Sequence, residues 1–233
     1  MKPNRPISDN EIQLLQETCA DKFSLVNELA LSTRQITLCD IITVNTFEMV
    51  KNLYDQMIEE DDKLPIHVLL NTPGGDMNSM IGIMNLFLLS KIPIFTYLMG
   101  ETCSAGCWIY LCGHKRFAPK TDFIGFMLHP IAYNSDLETP ETHEARVEYY
   151  KQTEKFLISF AAKRTKISKS MLKKLSEHKT KYYIGDEIFK YGIATDELTT
   201  STYWLTNKSV KKSKKSNKET LVETKSTINN NVL

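Results

Sequence analysis

The spacing of apolar and polar positions along this chain changes period several times, and each change marks an element. Ile36-Thr37-Leu38-Cys39 reads as a first strand. Phe47, Val50, Leu53, Tyr54 and Met57 then recur at a helical period, which predicts a helix from Thr46 to Glu59 with Thr46 as its cap and Asp61-Asp62-Lys63 as the loop out. Ile66-His67-Val68-Leu69-Leu70 is a second strand, ending in Asn71-Thr72-Pro73-Gly74-Gly75-Asp76. Such a turn exposes successive backbone N–H groups, and Asp76 is placed to cap the helix after it. That helix, Met77 to Leu89, is apolar on nearly every face and is predicted as a buried crossover, ended by Lys91-Ile92-Pro93. Ile94 to Met99 is a third strand and Ala105 to Leu111 the start of a buried helix. Ser104 lies between them on a tight turn, with Gly100 and Gly106 on either side to allow the bend.

Further on, Lys115 to Ala118 is a brief strand broken by Pro119, and Phe123 to Leu128 is another, ending at His129-Pro130. Thr139-Pro140-Glu141 opens a long helix to about Arg164: a cap, a proline at the first position, an acid in the first turn. Val147, Tyr150, Leu157 and Ala161 form its apolar stripe, and Tyr149, Tyr150, Phe156 and Phe160 a partly apolar face suited to a partner subunit. Helices from Ser168 to Leu175 and from Gly185 to Lys190 come next, the second closed by Tyr191-Gly192. This divides the chain into a polar N-terminal arm (residues 1–33, with short helices at 10–17 and 23–31), an α/β domain (34–198) and a tail (199–233). Within the tail, residues 208–218 are basic and apolar-poor and are predicted to be disordered.

Two connected β-turn-α units of this kind place their turns at one edge of a parallel sheet, where the sites of α/β proteins form. A serine at a strand's carboxyl end, beside a helix N-terminus, has its hydroxyl exposed next to free N–H groups. A histidine just before a proline is held by a stiff backbone. Taken singly, such a serine is more often a small residue that fits its turn, and such a histidine a structural one. Together with the Pro-Gly-Gly turn they supply what acyl transfer needs: Ser104 as nucleophile, His129 as general base, and backbone N–H groups of Gly75 and Ala105 as oxyanion donors. Thr102-Cys103-Ser104-Ala105-Gly106 does not fit the G-x-S-x-G nucleophile elbow, which argues against an α/β-hydrolase. His67 lies inside a strand, and His114, His143 and His178 stand in polar surroundings without a catalytic companion.

Composition narrows the picture only a little. Of 233 residues 42% are hydrophobic and 24% charged, as in an ordinary globular protein, and the net charge of +1 gives no reason to expect nucleic acid as partner. No apolar run reaches bilayer length and Met1-Lys2-Pro3-Asn4-Arg5 has no signal-peptide character, so a soluble, cytoplasmic protein is expected. Five cysteines, an odd count, fit a reducing compartment. Cys103, Cys107 and Cys112 do not have zinc-ligand spacing and read as small core residues, so no metal is expected.

From about Arg34 to Leu198 the chain resembles the proteolytic subunit of the ATP-dependent Clp protease, a family of serine peptidases with a crotonase-like α/β fold, a spiral of ββα units. The family's turn before the crossover helix is matched by Asn71-Thr72-Pro73-Gly74-Gly75, its nucleophile segment by Gly100 to Gly106, and its base segment by Met127-Leu128-His129-Pro130. The resemblance also takes in residues 165–178 and Glu187 with Tyr191-Gly192-Ile193. It implies Ser104 as nucleophile, His129 as base, Gly75 and Ala105 as oxyanion donors, and no cofactor. It further implies polypeptide substrates, a long "handle" helix packing stacked heptameric rings of a homo-oligomer, and a hexameric AAA+ unfoldase as partner. The chain departs from the family at three places. Thr180 falls where the triad aspartate is expected, leaving Glu177, Asp186 and Asp196 as the neighbouring carboxylates; two extra residues lie between Pro119 and His129; and Lys166 replaces a glycine. A threonine accepts a hydrogen bond but cannot stabilise an imidazolium as a carboxylate does. The alternatives are a catalytically weak or inactive subunit of a mixed ring, and an acyl-CoA enzyme of the same fold. A membrane signal-peptide peptidase with a Ser–Lys pair is disfavoured for want of an apolar anchor.

Overall fold

The computed structural model describes residues 25–132, 139–174 and 179–203. The predicted helix at 10–17, the end of the helix predicted to reach Leu175, Glu177, His178 and the basic stretch 208–218 lie outside the described residues. Residues 25–33 form a helix, α1, whose last turn closes with Thr33 Oγ1 donating to the Leu29 carbonyl at 2.7 Å.

The unit Ile36–Thr206 is built on a long central strand. The elements in order are β1 (Gln35–Leu38), α2 (Val44–Glu60), β2 (Ile66–Thr72), α3 (Met77–Leu88), β3 (Ile94–Cys103), α4 (Ala105–Leu111), β4 (Lys115–Ala118) and β5 (Gly125–Leu128). They continue with α5 (Pro140–Arg164), α6 (Lys169–Lys173), β6 (Lys181–Ile184), α7 (Asp186–Lys190) and β7 (Asp196–Glu197). The sheet runs β1-β2-β3-β4-β7, with β5 pairing β3 and β6 pairing β5. β3 is parallel to β2 on one side. On the other, its first half pairs with β4 (Tyr97↔Phe117) and its second half with β5 (Cys103↔Met127). That division is possible because β3 is ten residues long, whereas its apolar pattern alone predicts six. Its polar second half is a strand because neighbours pair with it. Where it bulges against β2, Asn71 Oδ1 accepts the Glu101 N–H at 3.1 Å.

Local signals set several boundaries and misplace others. Asp76 caps α3 and Thr139 caps α5, each through its side-chain oxygen, as predicted. The cap of α2 is Thr43 rather than Thr46: Thr46 is the third helical residue and returns the bond, so the two form a reciprocal capping box. α3 is not buried all round, since Leu88 and Leu89 at its end are exposed. Phe123 is not part of β5; its side chain is 91% exposed and the strand begins at Gly125. β6 and β7, short and partly polar, carry no readable period and exist through pairing with β5 and β4.

The core lies between β2, β3 and helices α3 and α4, around the fully buried Phe87, Tyr97, Tyr110, Phe126 and Tyr183. Tyr97 stacks on Phe117 at 4.9 Å and bonds His67 Nδ1 at 2.8 Å, so His67 is structural. Two arginines fasten the far end of α5 to this core. Arg164 donates to the carbonyls of Leu111 and Gly113, and buried Arg116 to those of Arg164, Gly192 and Ile193. The predicted stripe on α5 is buried at Leu157 and Ala161, while Phe156 is 74% exposed. Among the described residues no helix is long and apolar enough to cross a membrane.

Candidate active site

β3 and β5 run parallel and end together, so the residues after each strand emerge at one edge of the sheet. Cys103 pairs with Met127; Ser104 comes next on one strand, and His129 two residues on along the other. The Ser104 N–H donates to the Met127 carbonyl at 2.9 Å, which ties the serine's turn to the strand that carries the histidine. Both residues line one pocket of about 190 Å³, together with Gly75, Ala105 and the apolar side chains of Met77, Met80, Trp108 and Leu157. The four residues singled out in the sequence are therefore brought together.

The bend at the serine is made by the serine. Ser104 has φ 51° and ψ −121°, a conformation ordinarily left to glycine and costing on the order of 1–3 kcal/mol for another residue. Gly185, between β6 and α7, has nearly the same angles, φ 54° and ψ −123°, in the same strand-turn-helix setting. Gly100 and Gly106 serve a different purpose from the one predicted. A Cβ on Gly100 would lie 2.6 Å from Asn71 Oδ1, and one on Gly106 2.5 Å from Thr72 Cγ2, so both permit close packing and neither makes the turn.

The glycine turn after β2 is held by Ile42. Ile42 donates to the Gly74 carbonyl at 2.8 Å and accepts from the Asp76 N–H at 2.7 Å, the pattern of a parallel bridge centred on Gly75. In such a bridge the central residue's own N–H points to the opposite side. The Gly75 amide is therefore not used by this bridge, and Gly75 lines the pocket. Ala105, first residue of α4, keeps its amide because no carbonyl of the helix precedes it. The sequence offered no signal for Ile42, whose part is played by its backbone alone.

His129 is half-buried, and its Nδ1 lies 2.5 Å from the carbonyl oxygen of its neighbour Pro130. A carbonyl only accepts, so Nδ1 carries the proton and Nε2 the lone pair. Continuing the β5–β6 register one step beyond Leu128↔Lys181 sets Thr180 opposite His129. Thr180 is exposed, and its hydroxyl has no hydrogen-bond partner among the described residues. Asp186 opens α7 and Asp196 stands on β7, where it accepts from Thr195 at 2.7 Å; neither lines the pocket. His114 Nδ1 accepts the Ile94 N–H at 3.1 Å, a structural bond.

The three thiols near the serine turn, Cys103, Cys107 and Cys112, are buried. Cys107 Sγ donates to the Thr102 and Met127 carbonyls at 3.0 and 3.1 Å, and burial pushes it well above the usual thiol range. Burial likewise pushes Cys103 and Cys112 up to about 12. Protonated thiols in a packed core are poor metal ligands. Among the described residues no group of His, Cys, Asp and Glu is arranged to hold a metal.

A sheet in which β2, β3, β4, β5 and β7 pair in parallel, alternating with helices and with a pocket at the carboxyl ends of β3 and β5, defines an α/β protein. The profile of the Clp protease family matches residues 18–201. The chain belongs to that family. It is 28% identical over 96 residues to the ATP-dependent Clp protease proteolytic subunit 1 of Rhodopirellula baltica, covering 35% of this chain and 41% of that protein. It is 24% identical over 128 residues to the proteolytic subunit 2 of Borreliella burgdorferi, covering 52% of this chain and 65% of that one. The chain thus spans less than two thirds of the length of either relative. A crystal structure of a peptidase from Plasmodium falciparum superposes with TM-score 0.64 at 20% identity, over 74% of this chain and all of that one, a likeness of fold.

Proposed function

We propose that this chain is the proteolytic subunit of a Clp-type serine peptidase, hydrolysing peptide bonds of unfolded polypeptides through an acyl-enzyme on Ser104. Ser104 Oγ attacks the scissile carbonyl carbon as His129 Nε2 takes its proton. The oxyanion that forms is stabilised by the Gly75 and Ala105 amides, and collapse breaks the C–N bond as Nε2 returns the proton to the leaving amine. Water then repeats the sequence to release the acid. The observation that supports this most is the conformation of Ser104. Gly185 occupies the same turn without strain, so a serine kept there at an energetic cost is kept for its hydroxyl.

By likeness to the family and to the named relatives, the subunits form heptameric rings that stack through α5, whose Tyr149 and Phe156 are exposed. A hexameric AAA+ unfoldase feeds folded substrates in, short peptides enter unaided, and the assembly works in the cytoplasm without a cofactor.

A fluorophosphonate probe tests this directly. Labelling of the wild type that disappears in Ser104→Ala, with hydrolysis of short fluorogenic peptides lost in parallel, supports it. Unchanged hydrolysis in Ser104→Ala rejects it. A second reading, a subunit that shapes a mixed ring without cutting, is favoured by the absence of any carboxylate among the pocket-lining residues described. An unlabelled chain that still co-assembles with an active paralogue would establish that reading instead.

A further inference from the structure

We infer that the backbone carbonyl of Pro130 is the positioning group for His129, doing with a neutral dipole what a carboxylate at position 180 would do with a charge. The inference rests on the peptidase reading of the site and deepens it. Orienting a base requires two things of its partner: that it hold the ring at one angle, and that it keep the proton on the nitrogen away from the nucleophile. The Pro130 carbonyl does both, since it accepts from Nδ1 at 2.5 Å and leaves Nε2 unprotonated. The proline ring fixes φ at Pro130 and restricts the residue before it, which narrows the positions the ring and the carbonyl can take relative to each other.

Thr180 takes no part. The strand register sets it opposite His129, yet its hydroxyl is exposed and unbonded among the described residues. Among the described residues no Asp, Glu, Lys or Arg side chain lines the pocket. Charged groups on the described elements around it include Asp76, bonded to Ser79; Glu101 near the end of β3; Glu154 and Lys155 among those along α5; Lys181 of β6, 3.5 Å from Glu187 of α7; and Asp186 of α7. Among the described residues, the imidazolium that forms when Nε2 takes the Ser104 proton is therefore stabilised through Nδ1–H by a carbonyl dipole rather than by a carboxylate. Tautomer and orientation are retained, and the charge stabilisation of a carboxylate is not.

The test uses the full chain in its assembled form. With histidine side chains labelled with nitrogen-15, and His129 assigned by its loss in His129→Gln, the neutral ring is expected to carry its proton on Nδ1. A proton on Nε2 overturns the inference. On a fluorogenic peptide, Thr180→Ala is expected to stay within about twofold of wild-type kcat/KM, because an unbonded hydroxyl holds nothing. Thr180→Asp is expected to raise kcat/KM by about tenfold or more and to move the acid limb of its pH profile upward by about one unit, since a carboxylate favours the charged ring. Thr180→Asn, similar in shape and neutral, is expected to do neither. A loss of about a hundredfold in Thr180→Ala, of the size a displaced catalytic group produces, would make the threonine the orienting group and overturn the inference. So would an unmoved acid limb in a folded Thr180→Asp. Failure of the peptidase reading is distinguishable: Ser104 then escapes fluorophosphonate while the Nδ1-protonated ring persists.

Discussion

Gly74 is packed directly beneath Ser104: a Cβ built on Gly74 would lie 2.6 Å from the serine's Cβ, 2.8 Å from the Cys103 carbonyl oxygen and 3.0 Å from the Ala105 nitrogen. The two turns that make the pocket are thus in backbone contact, and the spacing between Ser104 and the proposed oxyanion donors Gly75 and Ala105 is set there. Gly74 also has φ 99°, which L side chains avoid. Gly74→Ala must therefore push the serine turn away as well as strain its own. Displacing a reacting group by about 1 Å costs about a hundredfold in rate, and we expect at least that loss of fluorophosphonate labelling. Stability should fall by about 1–3 kcal/mol, read from urea denaturation.

Relieving the strain at Ser104 should have the opposite effect on stability. In Ser104→Gly the conformation becomes one the residue adopts freely, as Gly185 does. We expect a gain of about 1 kcal/mol, or about 2–4 °C in Tm for a chain of this size, with labelling abolished. Ser104→Ala, which keeps the strain, should abolish labelling without that gain. A Tm for Ser104→Gly no higher than for Ser104→Ala would show that the turn is unstrained.

Arg116 is 4% exposed and donates through Nε and Nη2 to three carbonyls, those of Ile193, Arg164 and Gly192. A lysine has one nitrogen and cannot reproduce that fork. Arg116→Lys leaves at least one buried carbonyl without a donor and should cost about 2–3 kcal/mol in chemical denaturation. The pocket lies at the other end of β3, so the protein that remains folded should still label at Ser104.

Stability should also decline at alkaline pH, for a reason that lies in the core. The thiols of Cys103 and Cys112 are raised to about 12 and that of Cys107 well above its ordinary value, all chiefly by burial, and Tyr183 is raised to about 12. In the unfolded chain the thiols release their protons from about pH 9, while the folded state still holds them. The unfolded state therefore binds fewer protons, and stability falls as pH rises from about 9 towards 12. Urea midpoints between pH 7 and 10 should show this, with a shallower fall in Cys112→Ala. At pH 8 in the native state, a thiol reagent should modify Cys39, which is exposed, and spare Cys103, Cys107 and Cys112.

Much of the site could be read from the residues because the signals behind it are local. Asp76 as a cap, Thr139-Pro140 as a helix start and a serine between an apolar strand and an apolar helix each depend on a few neighbouring positions. The extent of β3 could not be read, because Gly100, Glu101 and Thr102 have no strand character of their own and are held by Asn71, β2 and β5. β6 and β7 were illegible for the same reason. The glycines around Ser104 were visible, but their purpose was not: what a missing Cβ makes room for depends on which chain packs there, and that chain was Asn71 at one and Thr72 at the other.

By itself the sequence determined which side chains are available for chemistry, the order in which they occur, and the two turns that present them. Tertiary structure decided that Ser104 and His129 share a pocket, since only the pairing of β3 with β5 brings their strand ends together. It also decided that Ile42 bridges Gly75 without using the Gly75 amide and that the Pro130 carbonyl lies against His129 Nδ1, because both depend on where backbone carbonyls come to rest. Those positions are set by strand register, and register is a property of the whole sheet that no short run of residues encodes.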